Sequence, residues 1–161
     1  MDMRRIPAPP AMRQPPTQIL PAWQPTAQQP PPRQVYISAY AKDFTLSLSQ
    51  GNSKEGEDAA LPLEQQRVSG GFTLKDGTAA VPADGYYMLL WELGVDEARG
   101  EARLHLGINE GSAQLTHGMQ PGCDSAQQVT WLSAGDRVKL LAKGKGTFKC
   151  SGAMLTIVRL G

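Results

Sequence analysis

The sequence predicts an all-β body preceded by an arm that has no core of its own. Two observations carry this. From Val35 onward, apolar residues fall at every second position in VYISAYA (35–41), FTLSLSQ (44–50), ARLHLGIN (102–109) and DRVKLLAKG (136–144), with Gly-, Asn-, Ser- and Asp-rich breaks between them. A period of two is the mark of half-buried strands, and its repetition predicts an antiparallel sandwich or barrel of roughly eight to ten short strands. Before that point, ten of the 13 prolines crowd into residues 1–33, a composition that buries too little apolar surface to offset the entropy of ordering.

Residues 1–34 are therefore expected to be a disordered, polyproline-like arm acting as a spacer, and residues 35–161 one β domain. PAPP at 7–10 has the form of a PxxP ligand, but in so Pro-rich a tail the match carries little information. Within the domain, EGEDAALPLEQQ (55–66) is the best helix candidate. Pro62 interrupts it, so it reads as a long loop with a short edge strand.

The charge balance, +1 overall with 19% charged residues, gives no basic surplus for nucleic acid. The sequence contains no apolar run of the ~18 residues needed to span a membrane. The opening MDMRRIPAPP has charge without an apolar run behind it, so no classical signal peptide is expected, and synthesis in the cytoplasm without classical secretion is the corresponding expectation. Cys123 and Cys150 lack metal-ligand spacing and read as two ordinary thiols.

Two kinds of strand appear. In 137–143, Val138, Leu140 and Ala142 share one face, and Arg137, Lys139, Leu141 and Lys143 the other; in 102–109, Leu104, Leu106 and Ile108 turn inward, and Arg103, His105 and Asn109 outward. Those strands face water on one side. GYYMLLWEL (85–93) and AMLTIVRLG (153–161) are instead apolar on both faces, as VTWL (129–132) is less fully. A sandwich core buries one face of such a strand. Leaving the other in water forgoes about 1.5–3 kcal/mol per large side chain and exposes a patch that monomers seldom carry. The sequence offers no helices to cover it, so a neighbouring subunit is the expected cover.

Three segments resemble the C1q/TNF-like jelly-roll superfamily, most closely the C-terminal domains of BclA-type collagen-like glycoproteins of the bacterial spore surface (exosporium). VPADGYYMLLWELGV (81–95) is similar to that family's Pro-x-x-Gly turn and following strand, through Gly85, Tyr87, Leu89 and Trp91; VTWLSAGDRVKLLA (129–142) to its Leu-x-x-Gly-Asp hairpin, through Leu132, Gly135 and Asp136; and GAMLTIVRLG (152–161) to its final strand. The match covers 68–161 by these segments and 35–67 by strand pattern alone. The resemblance implies a two-sheet antiparallel jelly roll that associates as a homotrimer. By the family's parity, Tyr86, Met88, Leu90, Met154, Thr156 and Val158 would form the trimer interface, while Tyr87, Leu89, Trp91, Leu155 and Ile157 fill the sandwich. It also implies a structural or adhesive role on a bacterial cell or spore surface, with glycans or a protein receptor as partners. One departure stands out: no glycine precedes Gly51, so the collagen repeats of BclA-type relatives are not present in this sequence.

Chemistry-bearing patterns are sparse. No catalytic set, metal site or cofactor motif is expected. His105 reads as a solvated outward side chain, Asp96, Glu97 and Glu101 as a solvated acidic loop, and KGKGT (143–147) as a Gly-rich hairpin turn that fails the phosphate-loop order. The second reading, from a different class, is a carbohydrate- or receptor-binding module of phage or cell-surface type. It requires an exposed aromatic platform in the loops, whereas Trp91 and Trp131 fall in strands and Trp23 in the arm.

Overall fold

Two long strands organise the whole domain. The computed structural model describes residues 33–49, 57–111 and 114–161; the expected arm, apart from Arg33 and Gln34, lies outside these. The strands are β1 (Tyr36–Leu48), β2 (Glu57–Ala60), β3 (Gln65–Ser69), β4 (Thr73–Lys75), β5 (Thr78–Ala80), β6 (Gly85–Ile108), β7 (Gln114–Gly118), β8 (Gly122–Leu132) and β9 (Arg137–Arg159). No helix interrupts them among the described residues.

β6 and β9 pair antiparallel along nearly their whole length, from Tyr87 opposite Arg159 to Ile108 opposite Val138. This ribbon passes through two layers. In the first, the order is β3–β1–β9–β6–β8, using the C-terminal half of β9 and the N-terminal half of β6. In the second, β4–β5–β9–β6–β7 uses the other halves, with β2 beside β5 on the same edge of β9. Trp91, Leu93 and Val95 from the first layer and Leu104 from the second line one small cavity, so the layers face each other. Between them lies a single core in which Trp91, Tyr87, Phe148, Ile37, Leu89, Leu104, Leu106, Leu140 and Leu155 are fully buried.

The expectation of short strands is corrected here: β6 and β9 have 24 and 23 residues. Asp96, Glu97 and Glu101 are exposed strand positions within β6 rather than a loop, and 143–147 lies in mid-strand rather than in a hairpin turn. Opposite charges continue the ribbon, with Glu97 across from Lys149 and Glu101 across from Lys145, a pairing that favours the ladder. The glycines that looked like turn signals serve close approach instead. Gly100 faces Gly146, and a Cβ on Gly146 would stand 2.1 Å from the Arg99 carbonyl oxygen, with φ at +122°. A register shift around Val95, where Asp96 and Ser151 have no opposite residue, marks the corner at which the ribbon leaves one layer for the other.

The two turn motifs close one end. Gly135 (φ +87°) donates its N–H to the Val81 carbonyl at 2.8 Å, Asp136 Oδ2 accepts from the Ser133 N–H at 2.8 Å, and Asp84 Oδ1 accepts from the Ala134 N–H at 2.7 Å. The Leu-x-x-Gly-Asp and Pro-x-x-Gly segments are thus one interlocked structure. Tyr87, buried beneath them edge-on to Phe72, donates its hydroxyl to the Ala83 carbonyl at 2.6 Å; burial pushes its pKa up.

Gly146→Ala is expected to destabilise the domain by roughly 3 kcal/mol or more, because backbone strain and a backbone collision combine. Gly135→Ala meets nothing within 4 Å and should cost only about 1 kcal/mol for its left-handed φ. Denaturant midpoints of the two variants test the contrast.

Candidate functional site: an apolar sheet face

Alternation along the first layer sends one set of side chains into the core and the other to the outside. Tyr87, Leu89, Trp91, Leu155 and Ile157 are 0% exposed, so the core half of the parity reading holds. Their neighbours Tyr86, Met88, Leu90, Met154, Thr156 and Val158 all point to the opposite face, where Tyr86 is exposed and the other five are half-buried.

Register turns these into rows. Val158 lies between Tyr36 and Met88, and Met88 is flanked on its other side by Val129. One row along, Thr156 lies between Ser38 and Leu90, with the Ser38 and Thr156 hydroxyls 3.1 Å apart. Met154 lies between Tyr40 and Glu92. At the end nearest the turn motifs, Tyr86 stands across from Trp131, their rings edge to face at 5.1 Å. Tyr86, Trp131 and Val129 are 53%, 54% and 60% exposed. A continuous apolar face of this kind is unusual on a monomer.

Tyr36, Tyr40, Val129 and Trp131 were not singled out from the sequence. The signal existed for the first two: in VYISAYA the positions alternating with Ile37 and Ala39 carry tyrosines rather than charges. For Val129 and Trp131 it was the two-faced character of VTWL. β8 adds a further feature. Among the described residues it pairs with β6 alone, and its eleven residues include no Lys, Arg or Pro and one charge, Asp124. Edge strands usually carry such residues to block pairing with another chain.

At the other end of this face, Gly94 and Gly152 lie opposite each other and floor a groove of about 610 Å³ walled by Tyr40, Met154 and Cys123, with Lys42 and Glu92 at its rim. Cys123 is exposed and Cys150 buried, and neither is in a disulfide. Burial pushes the Cys150 thiol up to about 11, with a smaller contribution from Asp96. Cys150 is therefore expected to be silent to a thiol reagent in the folded protein and to react only on unfolding, which a timed thiol titration with and without denaturant checks.

The histidines do not join this face. His117 Nδ1 contacts Asp124 Oδ2 at 2.8 Å, and its ring meets Trp91 edge-on at 5.2 Å. With the Gln128 amide donating to Gln114 Oε1, this contact fastens β7 of one layer to β8 of the other. Reading His105 as solvated is corrected: it is 6% exposed, the one buried polar or charged side chain among the described residues. Its outward position is as read, in a groove that Asp58, Lys139 and Lys143 also line. Among the described residues no group of three or more His, Cys, Asp or Glu is placed to hold a metal ion, and no helix is long and apolar enough to cross a membrane.

No protein-family model matches the sequence, and no curated protein does. Solved structures do match the fold. Eiger TNF from S. frugiperda superposes with a TM-score of 0.59 at 14% identity, covering 79% of this chain and 94% of that one. The PRD1 vertex protein P5 gives 0.57 at 11% identity, over 79% and 97%. Murine APRIL gives 0.54 at 13% identity, over 78% and 99%. The domain is therefore an all-β, antiparallel jelly roll of TNF-like architecture.

Proposed function

We propose that this chain is a non-enzymatic, self-associating head: three copies close around a common axis, and the assembly displays their loops on a bacterial cell or spore surface. The observation that carries the self-association is the apolar face of the first layer, running from Tyr36 through Val158 and Met88 to Val129, with Tyr86 and Trp131 at its end. Beside it lies the unguarded edge strand β8. A face on one copy meeting an edge on the next is a heterologous contact, and such contacts close into rings when the rotation permits. Three copies and the surface location rest on the resemblance of the 81–95, 129–142 and 152–161 segments to the C1q/TNF-like superfamily and its BclA-type members. With no collagen repeat in this sequence, the Pro-rich arm takes the place of the stalk. Three weak loop sites held together would bind a glycan or receptor array by avidity.

The Tyr86–Trp131 pair favours a second reading, a carbohydrate- or receptor-binding module, because two half-exposed aromatic rings suit stacking on a ligand. That pair lies in the sheet face rather than in the loops, which puts it in competition with self-association. Binding of the purified protein to a glycan array, together with its mass, separates the two.

Light scattering on the purified protein is expected to give the mass of three chains at micromolar concentration; a monomer there overturns the proposal. Met88→Lys brings like charges together in a water-poor contact and should abolish assembly while leaving a folded monomer. Leu89→Lys buries a charge in each copy's own core and should prevent folding. Lys139→Met, on the other layer, should change neither. Circular dichroism and light scattering on the three variants distinguish loss of fold from loss of assembly.

A further inference from the structure

The outer face of the second layer carries a groove that self-association does not use, and register arranges its side chains in rows. In one row, Asp58 of β2 lies opposite Lys143 of β9, Lys143 opposite Arg103 of β6, and Arg103 opposite Gly118 of β7. Four positions away along β9, Lys139 lies between Thr78 of β5 and Gly107 of β6. Between the two rows His105 and Leu141 stand opposite each other. These residues, apart from Thr78, line an open groove of about 1000 Å³.

The groove holds positive charge that the domain itself does not neutralise. Lys143 and Arg103 are like charges directly opposite, a placement that destabilises a sheet when nothing offsets it. Asp58 offsets Lys143 from one side, but Arg103 has only Gly118 on its other side. Among the described residues, no carboxylate lies within ion-pair distance of Arg103 or Lys139. Gly107 leaves room for the Lys139 stem to cross β6 into the groove: a Cβ there would stand 3.6 Å from Lys139 Cγ and 3.8 Å from its Cε.

Spacing defines the ligand. Lys143 and Lys139 start about 13 Å apart along the strand, too far for one phosphate or carboxylate to bridge. The surface between them is His105, Leu141 and, from β7, the hydroxyl of Thr116. Glu101 and Glu110 lie towards the two ends of the groove's β6 side, with Asp58 on its β2 side. Those acids repel a densely charged polyanion, whereas they accept hydrogen bonds from hydroxyl groups. We propose that this groove binds an acidic oligosaccharide, a chain whose carboxylates are spaced among hydroxyls. One carboxylate sits on Arg103 and Lys143, where the guanidinium offers paired N–H donors; a second sits on Lys139, and hydroxyls donate to the flanking acids. The site is contained within one copy, so it does not depend on self-association.

NMR titration of the full chain with a short oligogalacturonate tests this. Saturable shifts should appear at the amides of 103–107, 116–118 and 139–143. The methyl-esterified form of the same chain keeps the hydroxyls and loses the charge, and should bind severalfold more weakly. Arg103→Gln and Lys139→Gln should each weaken binding roughly tenfold, while Lys42→Gln, in the first layer, should leave it unchanged. The same spectra show whether each variant keeps its fold, and if one does not, the other decides. Absence of saturable shifts overturns the proposal, as does equal binding of the ester or full binding by both groove variants. So does inorganic phosphate or a glutamate-rich peptide that binds as tightly as oligogalacturonate at matched ionic strength. Shifts centred on Tyr86 and Trp131 instead of the groove would also overturn it.

Discussion

Backbone pairing between β6 and β9 is the constraint on which the rest of this domain depends. Because both strands run through both layers, neither layer has a centre of its own: β1, β2, β5, β7 and β8 all attach to one or other of the pair. The ribbon must therefore twist and turn a corner without losing its ladder. Glycines at 100, 144 and 146 permit the close approach, since a Cβ on Gly144 would come within 2.2 Å of the Glu101 carbonyl oxygen. The unopposed Asp96 and Ser151 make the corner. Bulges and interior glycines at such points re-aim a strand while the side-chain alternation survives on either side.

That surviving alternation links the ribbon to function. In the first layer the even-numbered residues of β6 face outward, and they are Tyr86, Met88 and Leu90; in the second layer the odd-numbered ones do, and they are Arg103, His105 and Gly107. One strand therefore supplies an apolar outer surface at one end and a polar outer surface at the other. The proposed association uses the first and leaves the second to solvent.

The fold was legible because strand period and two-faced hydrophobicity are local properties of short windows. VYISAYA and DRVKLLAKG announce themselves, whereas the core parity of Tyr87, Leu89 and Trp91 came from the family resemblance of the 81–95 segment. The continuity of β6 and β9 was not legible. GEAR and KGKGT carry the composition of turns, and only the facing of Gly100 with Gly146, some 46 positions away, reveals them as mid-strand. Burial of His105 was hidden for a related reason. Its outward position is read correctly from Leu104 and Leu106, but the groove in which it lies is shared with Lys139, Lys143 and Asp58 from other strands. In the same way Val129 and Trp131 belong to the apolar face only because β8 registers against Tyr86 and Met88.

The order of strands along the chain adds a consequence for synthesis. β9 comes last of the nine, yet it is the neighbour of β1, β2, β5 and β6. A nascent chain emerging from the ribosome N-terminus first can join β1 to β3, β4 to β5, and β6 to β7 and β8, but the long ribbon that links these pieces waits for residues 137–159. Until then the two-faced strand at 85–93 has half its partners missing and both greasy faces in solvent. The fold of this domain is therefore completed only when residues 137–159 are available, and the interval before β9 appears is when it is most open to aggregation.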